Sequence, residues 1–215
     1  LLVASEHRRS KAGSRAEMLW GDAAAAVAVG SDNVIAEVLG IETLAVDFVD
    51  HYRGDEASFD YGWEERWIRD EGFMKSVPTA VIALFEKCSV SSEEIDHFIL
   101  PTDQARTPIG LARKLGIDGD AVVDNQISNV GVTGAAQSIL LLVKTLEQAK
   151  PGDLILVTGF GQGCDAILLR ATKAITDFKP AQGVSSALAA RREETNYNKF
   201  LSFNNLIERE TGKRG

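Results

Sequence analysis

With 215 residues, the chain is long enough to bury a sizeable core as one large domain or two small ones. Hydrophobic residues make up 45% and charged residues 25%, the balance of a soluble globular protein, and no apolar run approaches the roughly eighteen residues of a membrane span. A net charge of −8 argues against general nucleic-acid binding, and the lack of a visible signal peptide points to the cytoplasm.

The charge is uneven. Arg8, Arg9, Lys11 and Arg15 face only Glu6 in residues 1–15, while acidic residues crowd 47–71. The basic cluster is either a solvated loop or a receptor for an acidic partner or ligand. Cys88 and Cys164 lie in apolar contexts without metal-ligand spacing and read as buried cytosolic thiols. The three histidines form no metal constellation, so no metal is expected.

In chain order, Leu1-Leu2-Val3-Ala4 has the composition of a buried strand and no initiator Met. The chain therefore reads as part of a longer protein, with a portion upstream. Residues 5–20 read as a polar loop. Asp22–Val29 reads as a strand of small residues suited to close layer packing, and Val34–Leu39 and Ala45–Val49 as further strands. Residues 50–75 mix charge with aromatics such as His51, Tyr52, Trp63 and Trp67, so they read as a connection folded onto the body; a flexible linker would lack the aromatics. Those rings serve either ordinary packing or the lining of a ligand channel.

Ser76-Val77-Pro78 predicts a helix to about Cys88, with Pro78 in its first turn. Ser91–Asp96 carries a helix-start signal, and Phe98–Leu100 reads as a short strand. His97 reads as a surface residue before it. Thr107–Leu115 predicts a helix closed by Gly116, and Ala121–Val123 another strand. Ala135, Ile139, Leu142, Val143 and Leu146 then recur at helical spacing, predicting a helix from about Val132 to Gln148 that ends at Pro151-Gly152-Asp153. Leu154–Thr158 is almost wholly apolar, as a strand buried on both faces requires, and Ala166–Leu169 follows the glycine loop Gly159-Phe160-Gly161-Gln162-Gly163. The expected core is a mixed sheet of Asp22–Val29, Phe98–Leu100, Ala121–Val123, Leu154–Thr158 and Ala166–Leu169, with the 132–148 helix buried between layers. Leu1–His7 with Asp22–Val29 also parallels Leu154–Phe160 with Asp165–Leu169, a short internal repeat.

The ordered string of loop, helix, PGD, strand, GFGQG and strand over 124–170 resembles the C-terminal half of the 3-oxoacyl-(acyl-carrier-protein) synthase III branch of the thiolase superfamily. Gly21–Gly30 resembles that family's GDGAxAxxL strand, with Ala23 where glycine is usual. The resemblance implies an α/β, thiolase-like layered αβαβα fold in part. Residues 1–49 would end the N-terminal half, 50–75 connect, 76–175 form the C-terminal half and 176–215 the tail. Because a strand-like run follows GFGQG, a dinucleotide-binding Rossmann unit is disfavoured.

By resemblance, the whole protein would be an acyltransferase in which an upstream cysteine takes an acyl group from acyl-CoA. A histidine and an asparagine would then stabilise charge on the second substrate's thioester oxygen. Pro101, Gln104-Ala105 and Lys114-Leu115-Gly116 match the family's anchors, about one residue short, and put Thr102 at the histidine position beside ionisable Asp103, the candidate general base of the second step. Gly131-Val132-Thr133-Gly134-Ala135-Ala136 puts Val132 at the asparagine position, with Asn129 as the alternative donor. Valine donates no hydrogen bond and threonine is a non-basic donor, so the second step would diverge. Gly131, Val132, Gly159, Phe160 and Gly161 would border the substrate.

The resemblance implies acyl-CoA as substrate with no resident cofactor. It also implies an acyl carrier protein as a partner and a homodimer or thiolase-like heteromer. The segment Tyr197–Phe203, preceded by Arg191-Arg192-Glu193-Glu194, is similar to one found beside a small OB-fold partner; wrapping the chain's own fold is the alternative. The competing functional reading is a non-catalytic thiolase-fold subunit, and residues 1–215 alone are not expected to turn over.

Overall fold

The computed structural model describes residues 1–179, 183–190, 193, 195–208 and 212. In chain order its labelled elements begin with β1 (Leu2–Glu6), α1 (Arg15–Leu19), β2 (Ala23–Val27), β3 (Ala36–Ala45), β4 (His51–Tyr52), β5 (Tyr61–Gly62), α2 (Glu65–Trp67) and α3 (Met74–Cys88). There follow β6 (His97–Ile99), α4 (Thr107–Leu115), α5 (Ile127–Val130), α6 (Gln137–Leu146), β7 (Leu154–Gly161), β8 (Gly163–Ala171), α7 (Val184–Ala190) and α8 (Tyr197–Phe203).

A four-stranded sheet in the order β3-β8-β7-β6 organises the rest, with β6 parallel to β7 and the other pairs antiparallel. Side chains alternate between its faces. Phe98, Leu100, Leu154, Leu156, Ala166 and Leu168 pack with Val77, Val81 and Leu84 of α3 and Leu111 of α4. Ile99, Ile155, Val157 and Leu169 join Leu140 and Leu141 of α6 on the other face. Helices cover both sides, so the β7 residues that enter the two clusters, Leu154–Val157, are all apolar. Full burial of side chains such as Phe98, Leu84, Leu156 and Leu168 contributes about 1.5–3 kcal/mol each.

α6 lies between this sheet and a second, two-stranded sheet of β1 and β2. Ala23 and Ala25 of β2 pack against the cluster around Leu140 and Leu141, and their small side chains permit the close approach. No residue of Gln137–Leu146 is exposed, as expected for a helix between layers. Its most buried positions are Gln137, Leu140, Leu141 and Thr145, whereas Ile139, Leu142, Val143 and Leu146 are half-buried. A helix covered on two sides does not reveal its inner face by a single apolar stripe. The internal repeat appears as two antiparallel pairs, Leu2↔Val27 to Glu6↔Ala23 in one sheet and Leu154↔Arg170 to Gly161↔Gly163 in the other.

Several expectations are corrected. Asp22–Val29 is no neighbour of Phe98–Leu100: β2 pairs only with β1, across α6 from the larger sheet. Ala121–Val123 forms a 3₁₀ turn over Gly119–Ala121 and then a single parallel bridge, Phe98↔Val122. Of the strands expected at Val34–Leu39 and Ala45–Val49, one forms, β3 over Ala36–Ala45, with a register shift between Val38 and Gly40; Val46–Val49 is irregular chain. The loop 5–20 contains α1, whose N-cap Ser14 accepts from the Glu17 N–H at 3.2 Å.

The helix expected from Ser76 begins earlier, through α2 and a π-helical turn at Ile68–Phe73, so Pro78 lies inside α3. Proline has no N–H for the carbonyl four residues back, that of Met74. Lys114 Nζ donates to this Met74 oxygen at 2.6 Å, which removes the usual objection to an internal proline. Thr107–Leu115 and its left-handed cap Gly116 (φ 77°) are as expected, as is the capping box of Ser91 and Glu94.

Residues 50–75 fold onto the body through their rings. Phe48 stacks on Trp67 at 4.4 Å, and Phe160 at the end of β7 meets Phe48 at 5.6 Å and Phe73 at 4.1 Å. Gly72 is needed there, since a Cβ would lie 2.5 Å from the Phe160 ring. The tail also packs on the chain: Ser185 donates its N–H to Glu147 Oε1 at 3.1 Å, Tyr197 donates to Glu17 Oε2 at 2.8 Å, and Leu201 is buried. Burial works against it, but the Ser185 hydrogen bonds and Lys144 hold the Glu147 carboxyl below its usual range. Arg191, Arg192 and Glu194 lie outside the described residues.

Candidate active site

At the C-terminal end of β7 the chain turns sharply at Gln162 into β8, so Gly159–Gly163 is the end of a hairpin where a loop was expected. Gly163 has φ +129°, and a Cβ there would sit 1.8 Å from the Leu44 carbonyl oxygen, so glycine alone fits. This turn forms one wall of a cleft of about 870 Å³. The other walls are the segment after β6 (Pro101–Gln104), the segment entering α6 (Val132, Gly134, Ala135, Gln137 and Ser138), the Arg15–Trp20 side of α1, and the β4–β5 hairpin with His51 and Trp63. A volume of this order suits a small-molecule ligand of several hundred daltons.

The floor and the layer beneath it hold hydrogen-bonded polar groups, buried except for the half-buried Asn125, of which Thr102 and Gln137 line the cleft. Asn125 donates from Nδ2 to the Leu100 carbonyl at 3.0 Å and accepts the Thr102 N–H at 3.1 Å, so it clamps the chain on both sides of Pro101. Gln137, the first residue of α6, donates to the Asn125 carbonyl at 2.7 Å. Its Oε1 accepts from the Thr133 N–H at 2.5 Å and the Thr133 hydroxyl at 3.0 Å. Thr102, itself buried, accepts the Gln104 N–H at 3.1 Å. Thr158 donates to the Ile99 carbonyl at 2.7 Å and so ties the ends of β6 and β7 together.

Charge lies at the rim and on the walls, where Glu6 accepts the Ala135 N–H at 3.2 Å beside the α6 entry. Asp103 Oδ2 lies 3.5 Å from Arg15 Nη1, and the same guanidinium is hydrogen-bonded to Glu65. Arg8 also lines the cleft, stacked 4.2 Å over the Trp20 ring, with its side chain only 15% exposed. The solvated-loop reading therefore fails for Arg8, although Arg9, Lys11 and Arg15 are exposed. Its nearest carboxylate, Glu6, is 3.9 Å from Nε.

On the hairpin wall, His51 Nδ1 lies 2.8 Å from Asp50 Oδ1, and the His51 N–H donates to the same oxygen at 2.9 Å. The hydrogen bond to Asp50 raises the His51 pKa above its ordinary 6.5 against the opposing effect of burial. Burial acts to raise the Asp50 carboxyl, but the His51 hydrogen bond and charge bring it below its usual range. Cys164 lines the cleft too, but burial and the neighbouring Asp165 push its thiol up to about 12, which leaves it no thiolate for nucleophilic work.

Thr102, Asp103, Val132, Gly159, Phe160 and Gly161 all border the cleft. Two expected residues do not. Asn129 sits on α5, exposed, and donates to Gln126 Oε1 at 2.9 Å, because that short helix carries it away from the Val132 side of the loop. Gly131 instead packs against the 19–21 backbone, where Val132 N–H donates to the Leu19 carbonyl at 2.7 Å and Gly21 N–H to the Val132 carbonyl at 3.1 Å. His97, expected on the surface, is half-buried in β6 with Nε2 3.0 Å from Asp153 Oδ2. Sequence reasoning missed Asn125, Gln137 and the Asp50–His51 pair; the adjacency of Asp50 and His51 was the only local signal. Among the described residues no group of three or more His, Cys, Asp or Glu is placed to hold a metal ion.

Residues 85–170 match the C-terminal domain of 3-oxoacyl-[acyl-carrier-protein] synthase III. The chain is 32% identical over 202 residues to a hydroxymethylglutaryl-CoA synthase from Aeropyrum pernix, covering 92% of this chain and 55% of that protein. It is 27% identical over 164 residues to the hydroxymethylglutaryl-CoA synthase of Caldivirga maquilingensis, covering 76% of this chain and 47% of that protein. The chain thus spans about half the length of these curated relatives. Among solved structures, 3-oxoacyl-[acyl-carrier-protein] synthase III from Aquifex aeolicus superposes with a TM-score of 0.62 at 26% identity, over 71% of this chain and 50% of that one. An HMG-CoA synthase complexed with CoA shares the fold over 99% of this chain and 58% of its own length, with a TM-score of 0.69 at 16% identity. The chain carries a C-terminal region of the synthase III type within a thiolase-like layered fold, present here in part.

Proposed function

We propose that the whole protein is an acyltransferase of the synthase III type, which takes an acyl group from acyl-CoA onto a cysteine upstream of Leu1, and that this chain supplies the cleft for the second substrate. The observation carrying this reading is the cleft itself, where the Gly159–Gly163 turn faces Thr102, Asp103 and Val132. The relative solved with CoA supports a coenzyme A thioester as donor. The same reading takes no resident cofactor and places the protein in the cytoplasm. Its partners would be an acyl carrier protein, a second copy or thiolase-like subunit, and a small OB-fold protein.

The chain's residues shape the second step by what they lack. Thr102 and Val132 stand where the family has its two donors to the thioester oxygen, and loss of even one such donor typically slows reaction by about 10²–10³-fold. Decarboxylative condensation is therefore disfavoured. The favoured acceptors need no decarboxylation: an alcohol, an amine or an already activated carbon acid. Asp103, paired with Arg15, is assigned to ordering the acceptor's polar end at the rim.

The test is intact-mass measurement of the full-length protein after mixing with short and medium acyl-CoAs. The expected result is an added acyl group, because acylation needs the thiolate and not the missing pair. A second reading, a thiolase-fold subunit that supports a catalytic partner, is favoured by Val132, which puts no donor into the cleft. Absence of any acyl adduct would establish that second reading over the first.

A further inference from the structure

All three histidines lie beside carboxylates, so pairing alone selects none: His7 Nδ1 to Asp22 at 2.7 Å, His51 Nδ1 to Asp50 at 2.8 Å, and His97 Nε2 to Asp153 at 3.0 Å. The His97 pair has a structural task, since Asp153 also accepts the Lys150 N–H at 2.9 Å and so ties the turn before β7 to the start of β6. The His7 pair joins the exit of β1 to the entry of β2, and His7 does not line the cleft. His51 does, together with Thr102, Asp103 and the Gly159–Gly163 turn.

Its surroundings fix the ring. A carboxylate only accepts hydrogen bonds, so the contact with Asp50 Oδ1 puts the proton on Nδ1. In the neutral ring the lone pair is then on Nε2, which has no hydrogen-bond partner among the described residues. The backbone is held as well. His51 pairs with Gly62 and Tyr52 with Tyr61 across the β4–β5 ladder, and Arg53 meets Asp60 at 3.7 Å. This matches the logic of a base whose ring is oriented by a carboxylate.

We propose that His51 is the proton-transfer residue of the second step, with Asp50 holding its ring in the working tautomer; this assignment rests on the acyl-transfer reading above. Nε2 takes the proton from the acceptor's O–H, N–H or activated C–H, and the freed electron pair attacks the acyl carbonyl. The C–S bond then breaks, the sulfur leaves as thiolate, and the imidazolium returns the proton to it. The charges acting on His51 are Asp50 and Asp60, which favour the imidazolium, and Arg8, which opposes it. Glu6, Arg15, Glu65, Asp103 and Asp165 complete the ionisable walls of the cleft. His51 must be neutral to act as base, so transfer should fall as pH drops through an apparent value above 6.5.

The experiment is single-turnover transfer from the preacylated full-length protein to water, a short primary alcohol, a primary amine and a 1,3-diketone, followed across pH. His51→Gln is expected to acylate normally but to transfer roughly 10²–10⁴-fold more slowly, with the acid limb gone from its pH profile. Asp50→Asn should move that limb to lower pH. His7→Gln removes the same kind of pair outside the cleft and should change neither step. Transfer by His51→Gln within threefold of wild type, or a retained acid limb, overturns the assignment alone. Failure of the wild type to acylate overturns the acyl-transfer reading and this assignment with it.

Discussion

Replacing Gln137 by methionine tests whether the floor of the cleft is a connected polar unit. Methionine nearly matches the side chain in length and removes all its hydrogen bonds. Gln137 is 2% exposed and Thr133 fully buried, so the Thr133 N–H and hydroxyl lose the acceptor that now lies at 2.5 and 3.0 Å. The Asn125 carbonyl loses its 2.7 Å donor but is only half-buried, so water can replace it. A buried unsatisfied group costs about 1–3 kcal/mol, and the hydroxyl can rotate to another partner, leaving one full and one partial penalty. With the partial penalty at about half the full one, and set against about 1 kcal/mol from burying the more apolar side chain, the net loss is about 0.5–3.5 kcal/mol. Urea denaturation of the purified protein should show this as a lower midpoint with an unchanged slope. Asn125 also clamps Leu100 and Thr102, so the second step should slow with it. A change below about 0.5 kcal/mol, the usual spread of neutral surface substitutions, would refute the reasoning.

Two glycines of the turn should respond oppositely: Gly163→Ala forces a Cβ to 1.8 Å from the Leu44 carbonyl at φ +129° and should cost about 2–6 kcal/mol, whereas Gly161→Ala, with open space around it, should cost under about 1 kcal/mol by the same denaturation measurement. Equal effects at the two positions would contradict the geometry of the turn. Cys164, buried and with its thiol pushed up to about 12, should resist iodoacetamide at pH 8 until the protein unfolds, while half-buried Cys88 reacts first; peptide mapping of the alkylated protein reads the order, and equal rates would rule out the buried site.

Local pattern carried the reading where the determining contacts are near in sequence. Thr107–Leu115 with Gly116, the Ser91 capping box and the apolar β7 were legible because caps, turns and double-faced burial leave their marks within a few residues. Strand pairing leaves no such mark. The alanines of β2 announced close layers but not that α6 would separate them from the larger sheet. Pro78 was misplaced for a similar reason, since the group that accommodates it, Lys114, arrives from another helix. Within the site, Thr102 and Val132 were placed by sequence anchors on either side. Asn129 was misjudged because one turn of α5 redirects it, and His51 was overlooked because a hairpin, with Tyr61–Gly62 as its other arm, brings it to the cleft.

The two kinds of polar group in the cleft divide its work. Those on the floor satisfy one another: Thr133 and Gln137, Gln137 and Asn125, Asn125 and the chain around Pro101. A set closed in this way fixes the shape of the corner and the path of its backbone, and it stays ordered whether or not a substrate is bound. The ionisable groups lie around that set, on the α1 side with Arg15, Asp103 and Glu65, on the hairpin with Asp50 and His51, and beside the α6 entry with Glu6, which accepts the Ala135 N–H. Under the proposed reading, proton movement in this cleft belongs to the hairpin wall, and Thr102 and Val132 in place of the family's histidine and asparagine would remove donors without opening the corner. An acceptor that brings its own proton to the hairpin wall fits that division. A substrate that depends on two donors at a buried thioester oxygen does not.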